Sequence, residues 1–185
     1  MKEFFGKHWV SVLALVLAVV LVIPVSAGIK LDKKYNKVFS SFDKKAAKSD
    51  SFGNSLVNDM DKAIGEAENC IDAASFYLSP DHELVSAAKE AVKTYRRLNA
   101  PHKAYEAYLD VCVAVERMYN AASKASDESD EDAFELEATH MQLLHHEDII
   151  RKEYSEEYNE AVNKANDLLS GFPKALIAKL YNIGN

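Results

Sequence analysis

The chain has 185 residues, a formal net charge of −7 and 28% charged side chains. That acidic balance argues against nucleic acid as a partner, since phosphates call for a basic surface. Its two cysteines, Cys70 and Cys112, stand far apart without CxxC spacing. They form neither a disulfide framework nor a zinc site, and they read as two small core residues.

Residues 1–8 are a short tail that carries Lys2, Glu3 and Lys7. Trp9–Ile29 then runs without a single Lys, Arg, Asp or Glu, with only Pro24 interrupting the aliphatic series. At roughly 1.5 Å per residue it can cross a hydrocarbon core of about 30 Å. Two readings compete. A signal peptide would use Lys2 and Lys7 as its basic head and Val25-Ser26-Ala27 as its cleavage site, with Pro24 ending the helix where a peptidase needs extended chain. A retained single-pass anchor accounts better for the length, because signal cores run about 7–15 residues. It also accounts for Lys30, Lys33, Lys34, Lys37, Lys44, Lys45 and Lys48, since positive charge beside a span stays in the cytoplasm. The expectation is a retained anchor with the following body cytoplasmic; cleavage at Ala27 would make that body secreted or extracytoplasmic.

Residues 30–182 fit one domain of about 150 residues with a real core. Leu31, Tyr35, Val38, Phe39, Phe42 and Ala46 fall at helical spacing, and Ser49-Asp50-Ser51 with Gly53 marks a break. A second run carries Leu56, Val57, Met60, Ile64, Ala67, Ile71 and Ala74. Ser79-Pro80-Asp81-His82-Glu83 reads as a restart, Ser79 capping and Pro80 at the first helical position. Leu84, Val85, Ala88, Val92 and Tyr95 extend it to Leu98. Pro101 either bends that helix or opens another, which Tyr105, Tyr108, Leu109, Cys112, Val115 and Tyr119 continue.

Ser126–Asp132 holds five carboxylates in seven residues and reads as a solvated loop. It lacks the glycine and terminal glutamate of a calcium loop. The last helix spans about 133–170, with Leu136, His140, Leu143, Glu147, Ile150, Tyr154, Tyr158, Ala161, Ala165, Leu168 and Phe172 on its stripe. Gly171-Phe172-Pro173 ends it, and Lys174–Tyr181 remains as a short apolar turn or tail. No segment reads as strand. The fold class is all-α: an N-terminal transmembrane helix followed by an antiparallel up-and-down bundle of three to four long helices.

Tyr158-Asn159-Glu160-Ala161-Val162, then Asn166, Phe172-Pro173 and Leu176-Ile177-Ala178 resemble the end of the LemA family, which shows YN, a following N and then FP. Tyr35-Asn36 sits where that family has its first YN. Gly53 stands in place of the proline of its DLIPNLV segment, and Ser155 occupies its arginine position. The resemblance implies an anchored, antiparallel helical bundle and implies no enzymatic activity. By their own chemistry, Asn159 and Asn166 can bond across to neighbouring helices and fix register.

His140 and Glu147 are the polar anomalies of the buried stripe, two turns apart on one face. Glu137-Ala138-Thr139-His140 spells the Glu-x-x-His of di-iron bundles, so Glu137, His140 and Glu147 are the metal candidates. A di-iron site needs a second such motif, and no other histidine follows a carboxylate at that spacing. The alternative is a partly buried His–Glu polar layer. His145 and His146, on adjacent positions, point about 100° apart and make poor joint ligands. No serine or cysteine has the context of an activated nucleophile. The expected function is therefore a membrane-anchored interaction or scaffold protein without catalysis or cofactor, whose partners are the lipid bilayer and other proteins. A metal enzyme in the bundle core is the competing reading.

Overall fold

The computed structural model describes residues 26–50, 54–126, 131–171, 174–180 and 183–184. All regular structure among them is helical, as the periodicity requires. The apolar stretch Trp9–Ile29 lies outside the described residues except for its last four. Among the described residues no helix is long and apolar enough to cross a membrane.

Helix α1 covers 26–46 and is followed by α2 (Leu56–Ala74), α3 (Glu83–Arg96), α4 (Pro101–Ala125), α5 (Glu131–Leu169) and α6 (Lys174–Leu180). The chain divides into two compact units. Residues 41–159 form a central unit, and the residues up to 40 and from 160 onward form a terminal one. Helices α1 and α5 contribute to both.

In the central unit, α2, α3 and α4 pack on one another and residues 131–159 of α5 add a fourth side. The chain direction follows from contacts. Tyr95, late in α3, donates its hydroxyl to Asp61, early in α2, at 3.0 Å, so these helices run antiparallel. Arg96 reinforces the pair by reaching Glu68 at 3.1 Å. Glu116 and His140 meet across the α4–α5 connection, roughly equally far from it in sequence, which makes that pair antiparallel too. Leu56, Met60, Ile64, Val85, Val111, Val115, Met118, Leu136, Leu143 and Ile150 are buried in one core. Each such side chain contributes about 1.5–3 kcal/mol by leaving water. Alanines at 63, 67, 74, 88, 104, 107 and 122 fill the gaps between them. Small residues of this kind let helix axes approach toward the short end of the usual range.

The helix ends have identifiable causes. Ser55 caps α2 by accepting from the Asn58 amide at 3.2 Å. Asp50 and Asn54 close the preceding connection: the Asp50 amide donates to the Asn54 carbonyl at 2.8 Å, and the Asn54 amide donates to Asp50 Oδ1 at 2.8 Å. The restart expected at Ser79-Pro80 needs a correction. Ser79 accepts from the His82 amide at 2.8 Å and so closes a turn. The helix begins only at Glu83, with His82 Nδ1 as the cap, accepting from Leu84 at 3.2 Å. Pro101 does open a separate helix and occupies its first turn.

The terminal unit has its own small core. Leu31, Ala178 and Ile183 are buried together, with Tyr35, Leu168 and Leu169 packed against them. Gly171 ends α5 at φ 81°, in the left-handed region where glycine carries no Cβ penalty. Beyond it the expected turn or tail is a helix, α6, whose Ala178 fills the space beside Leu31.

Candidate functional site

The spacing of α5 calls for an apolar residue at position 140, between Leu136 and Leu143, and the chain places a histidine there instead. His140 is 6% exposed. Its ring lies flat on Tyr119 of α4, with centroids 3.7 Å apart and planes 10° from parallel. Nε2 stands 2.7 Å from Glu116 Oε2. The other oxygen of Glu116 accepts from the Asn120 amide at 2.9 Å, and Asn120 is in turn held by the Glu116 carbonyl. A half-exposed carboxylate (49%) thus reaches inward to satisfy a buried imidazole, as a buried polar group requires. Beside it, the Thr139 hydroxyl donates to the carbonyls of Glu135 and Leu136.

This is a polar layer across α4 and α5, and its carboxylate differs from those the sequence nominated. Glu147 lies on the same helix as His140, yet its charge acts on Tyr105, Tyr108 and Cys112. Glu137 is exposed. Among the described residues, no three His, Cys, Asp or Glu side chains converge in a way that could hold a metal ion. The His145 and His146 rings lie 6.0 Å apart and tilted. Sequence reasoning missed Glu116, which sits between Val115 and Met118 as an ordinary surface glutamate would.

The thiols are chemically quiet. Burial pushes Cys70 up to about 11, partly offset by its bond with Thr139. Burial likewise pushes Cys112 up to about 12. Nucleophilic work needs a thiolate near neutral pH, and these environments disfavour one.

Of the residues shared with the family motif, Tyr158 packs in an aromatic cluster. Its ring lies 4.6 Å from Tyr105 and 5.3 Å from Phe42, and Phe42 meets Tyr105 edge-on at 5.7 Å. Such pairs add about 0.5–1.5 kcal/mol each beyond area burial. Asn159 and Asn166 are exposed, and among the described residues neither side chain bonds a neighbouring helix, so the expected register role finds no bond to carry it. Phe172 and Pro173 lie outside the described residues.

The central unit also has an open cleft of about 550 Å³ between the end of α1, the start of α2 and the middle of α5. Lys45, Lys48 and Lys62 face Asp50, Asp59 and Glu153 there. Much of that charge is already engaged: Lys45 pairs with Glu157 at 2.7 Å and lies over the Tyr154 ring at 5.7 Å. Lys62 meets Asp59 at 3.3 Å. Burial, then the nearby Glu153, Asp59 and Asp50 carboxylates, push the Tyr154 hydroxyl up. The arrangement is a polar groove of balanced charge, and among the described residues no set of ligands converges there.

The chain matches no protein-family model, no curated protein and no solved structure. What stands on its own is a helical bundle with a partly buried His–Glu layer and mixed-charge surfaces.

Proposed function

We propose that the protein is a single-pass, membrane-anchored helical bundle of LemA type, held to the bilayer by Trp9–Ile29 and working through its surfaces as an interaction or scaffold protein. The observation that carries this reading is the course of α1. It is helical from residue 26 to residue 46, so the candidate cleavage point at Ala27 lies inside regular helix. A signal peptidase acts on extended chain, and a helix that continues through the junction favours a retained segment. The helix then enters packed structure, with Leu31 in one core and Phe42 in another. The lysines that follow the apolar stretch favour a cytoplasmic bundle by the positive-inside rule. The reading assigns no catalytic step and no cofactor. Its partners are the bilayer and other proteins, and nucleic acid is not among them.

The test uses intact cells expressing the full chain with a C-terminal tag, treated with external protease, together with sequencing of the mature amino terminus. A protected tag and an uncleaved amino terminus are expected. Loss of the tag, or a mature chain beginning at Gly28, would replace the anchored reading with the extracytoplasmic one.

A further inference from the structure

The first four lysines of α1, Lys30, Lys33, Lys34 and Lys37, recur at i, i+3, i+4 and i+7 and therefore share one helix face. All four are exposed, and among the described residues none pairs with a carboxylate. The opposite side of the same turns is occupied. Leu31 is buried with Ala178 and Ile183, and Tyr35 packs against them. The chain at Gly184 presses on that side closely enough that an added Cβ would come 2.7 Å from Leu169 and 3.4 Å from Tyr35. This fold-back brings the exposed Lys174 and Lys179 of α6 into the same unit. Its described carboxylates are only Asp32, Glu160 and Asp167, and Glu160 is engaged with Lys164 at 3.2 Å. A chain of net charge −7 thus gathers lysines that pair with no carboxylate among the described residues, from two distant segments, into the unit that follows the uncharged stretch Trp9–Ile29 in sequence.

We propose that the lysine face of α1 is a docking surface for anionic phospholipid headgroups, with Lys174 and Lys179 adding positive charge to the same unit. The inference rests on the anchored reading, which sets these lysines at the level of the headgroups. Charge and reach select the occupant. The face from Lys30 to Lys37 extends along about 10 Å of helix, comparable to a Debye length of about 8 Å at physiological salt. A negatively charged leaflet therefore acts on most of it. The mode is also specified. Basic amphipathic helices usually bind membranes by sinking their apolar face among the acyl chains. Here Leu31 and Tyr35 are already covered by protein, so the contact is electrostatic, salt-sensitive and without insertion of this helix.

The experiment footprints lysines on the full chain by acylation and mass spectrometry. The protein is mixed with neutral phosphatidylcholine vesicles or with vesicles containing phosphatidylglycerol, and flotation is scored in parallel. Labelling at Lys30, Lys33, Lys34, Lys37, Lys174 and Lys179 should fall on the order of fivefold in the anionic vesicles. It should recover in high salt, while Lys89 and Lys124 stay unchanged. Joint replacement Lys30→Gln, Lys33→Gln, Lys34→Gln and Lys37→Gln keeps good helix formers in place and should abolish the protection of Lys174 and Lys179. Equal labelling in both vesicle types overturns the proposal, as does protection surviving the fourfold replacement. Protection by a DNA duplex but not by vesicles overturns it in favour of a nucleic-acid surface. Failure to float with neutral vesicles counts against the anchor alone, because the footprint in anionic vesicles still decides the lipid surface.

Discussion

Asp43, on α1, caps a helix 59 residues away: its Oδ1 accepts the backbone N–H of His102 at 2.9 Å, and both carboxylate oxygens lie 3.0 Å from that residue's Nδ1. Helix α4 begins after Ala100, which has no side chain able to cap it. The first turn of a helix leaves orphan donors and a partial positive charge, and a carboxylate answers both. Asp43→Ala should therefore cost about 1–2 kcal/mol. Thermal denaturation should show a melting temperature lowered by about 2–4 °C per kcal/mol. Lys44→Ala, one position along on an exposed site, should leave it nearly unchanged. Equal effects of the two would show that the Asp43–His102 contact does not hold α4.

The rotation of α5 about its own axis is open to a two-variant comparison. Leu143 is 2% exposed and Met141 58%, although both are apolar and only two positions apart. Leu143→Asp would bury an unpaired charge at a cost on the order of several kcal/mol. Met141→Asp meets water and should move stability by roughly 0.5 kcal/mol or less. Urea melts of the two proteins should be well separated. Coincident midpoints would mean that the helix presents a different face.

For the His140 layer, the expectation is structural. His140→Ala removes a ring stacked on Tyr119 and leaves a cavity, and it should destabilise by about 2–4 kcal/mol. Glu116→Gln keeps a hydrogen-bonding group within reach and should cost less, about 1 kcal/mol. Elemental analysis of the purified protein should give no stoichiometric iron or manganese. Stoichiometric metal that disappears with His140→Ala would bring back the enzyme reading.

The two buried thiols make an alkaline prediction. Because burial pushes Cys70 up to about 11 and Cys112 up to about 12 from an ordinary 9.0, the folded state keeps protons that the unfolded chain releases. Stability linked to them is whole below about pH 9 and is lost as the pH rises through 11 and 12. Denaturant midpoints should decline from pH 9 upward, and less steeply in the Cys70→Ala, Cys112→Ala double variant. An unchanged slope would show that the thiols ionise as freely in the folded protein as in the unfolded one.

The helices and most of their buried faces are legible in the amino-acid order, because a 3.6-residue period is a local property. Met60, Ile64, Val85, Val115, Leu136 and Leu143 all sit in the core at their expected phases. What escaped is relational. His140 was visible as an anomaly, but its carboxylate comes from α4, and the choice between Glu116 and Glu147 depends on how two helices are rotated and levelled. Asp43 likewise looks like one more surface charge among lysines until α4 is placed beside it. The capping of α3 failed for a local reason: Ser79 and His82 are both able to cap, and the turn closed between them gives the helix to the later one. Nothing in the spacing of Lys174 and Lys179 announced that they would share a unit with Lys30.

That shared unit has a consequence for how the protein is made. Leu31 emerges from the ribosome well before Ala178 and Ile183, which help to cover it. Until then the apolar side of α1 around Leu31 lacks that cover, next to its lysines, and has the make-up of a membrane-surface helix. The central unit needs none of those late residues and can close first. A premature stop at Ser170 would therefore leave a folded core carrying a basic amphipathic helix that keeps only Leu168 and Leu169 over Leu31 and Tyr35, a species more prone to sink into lipid than the full chain.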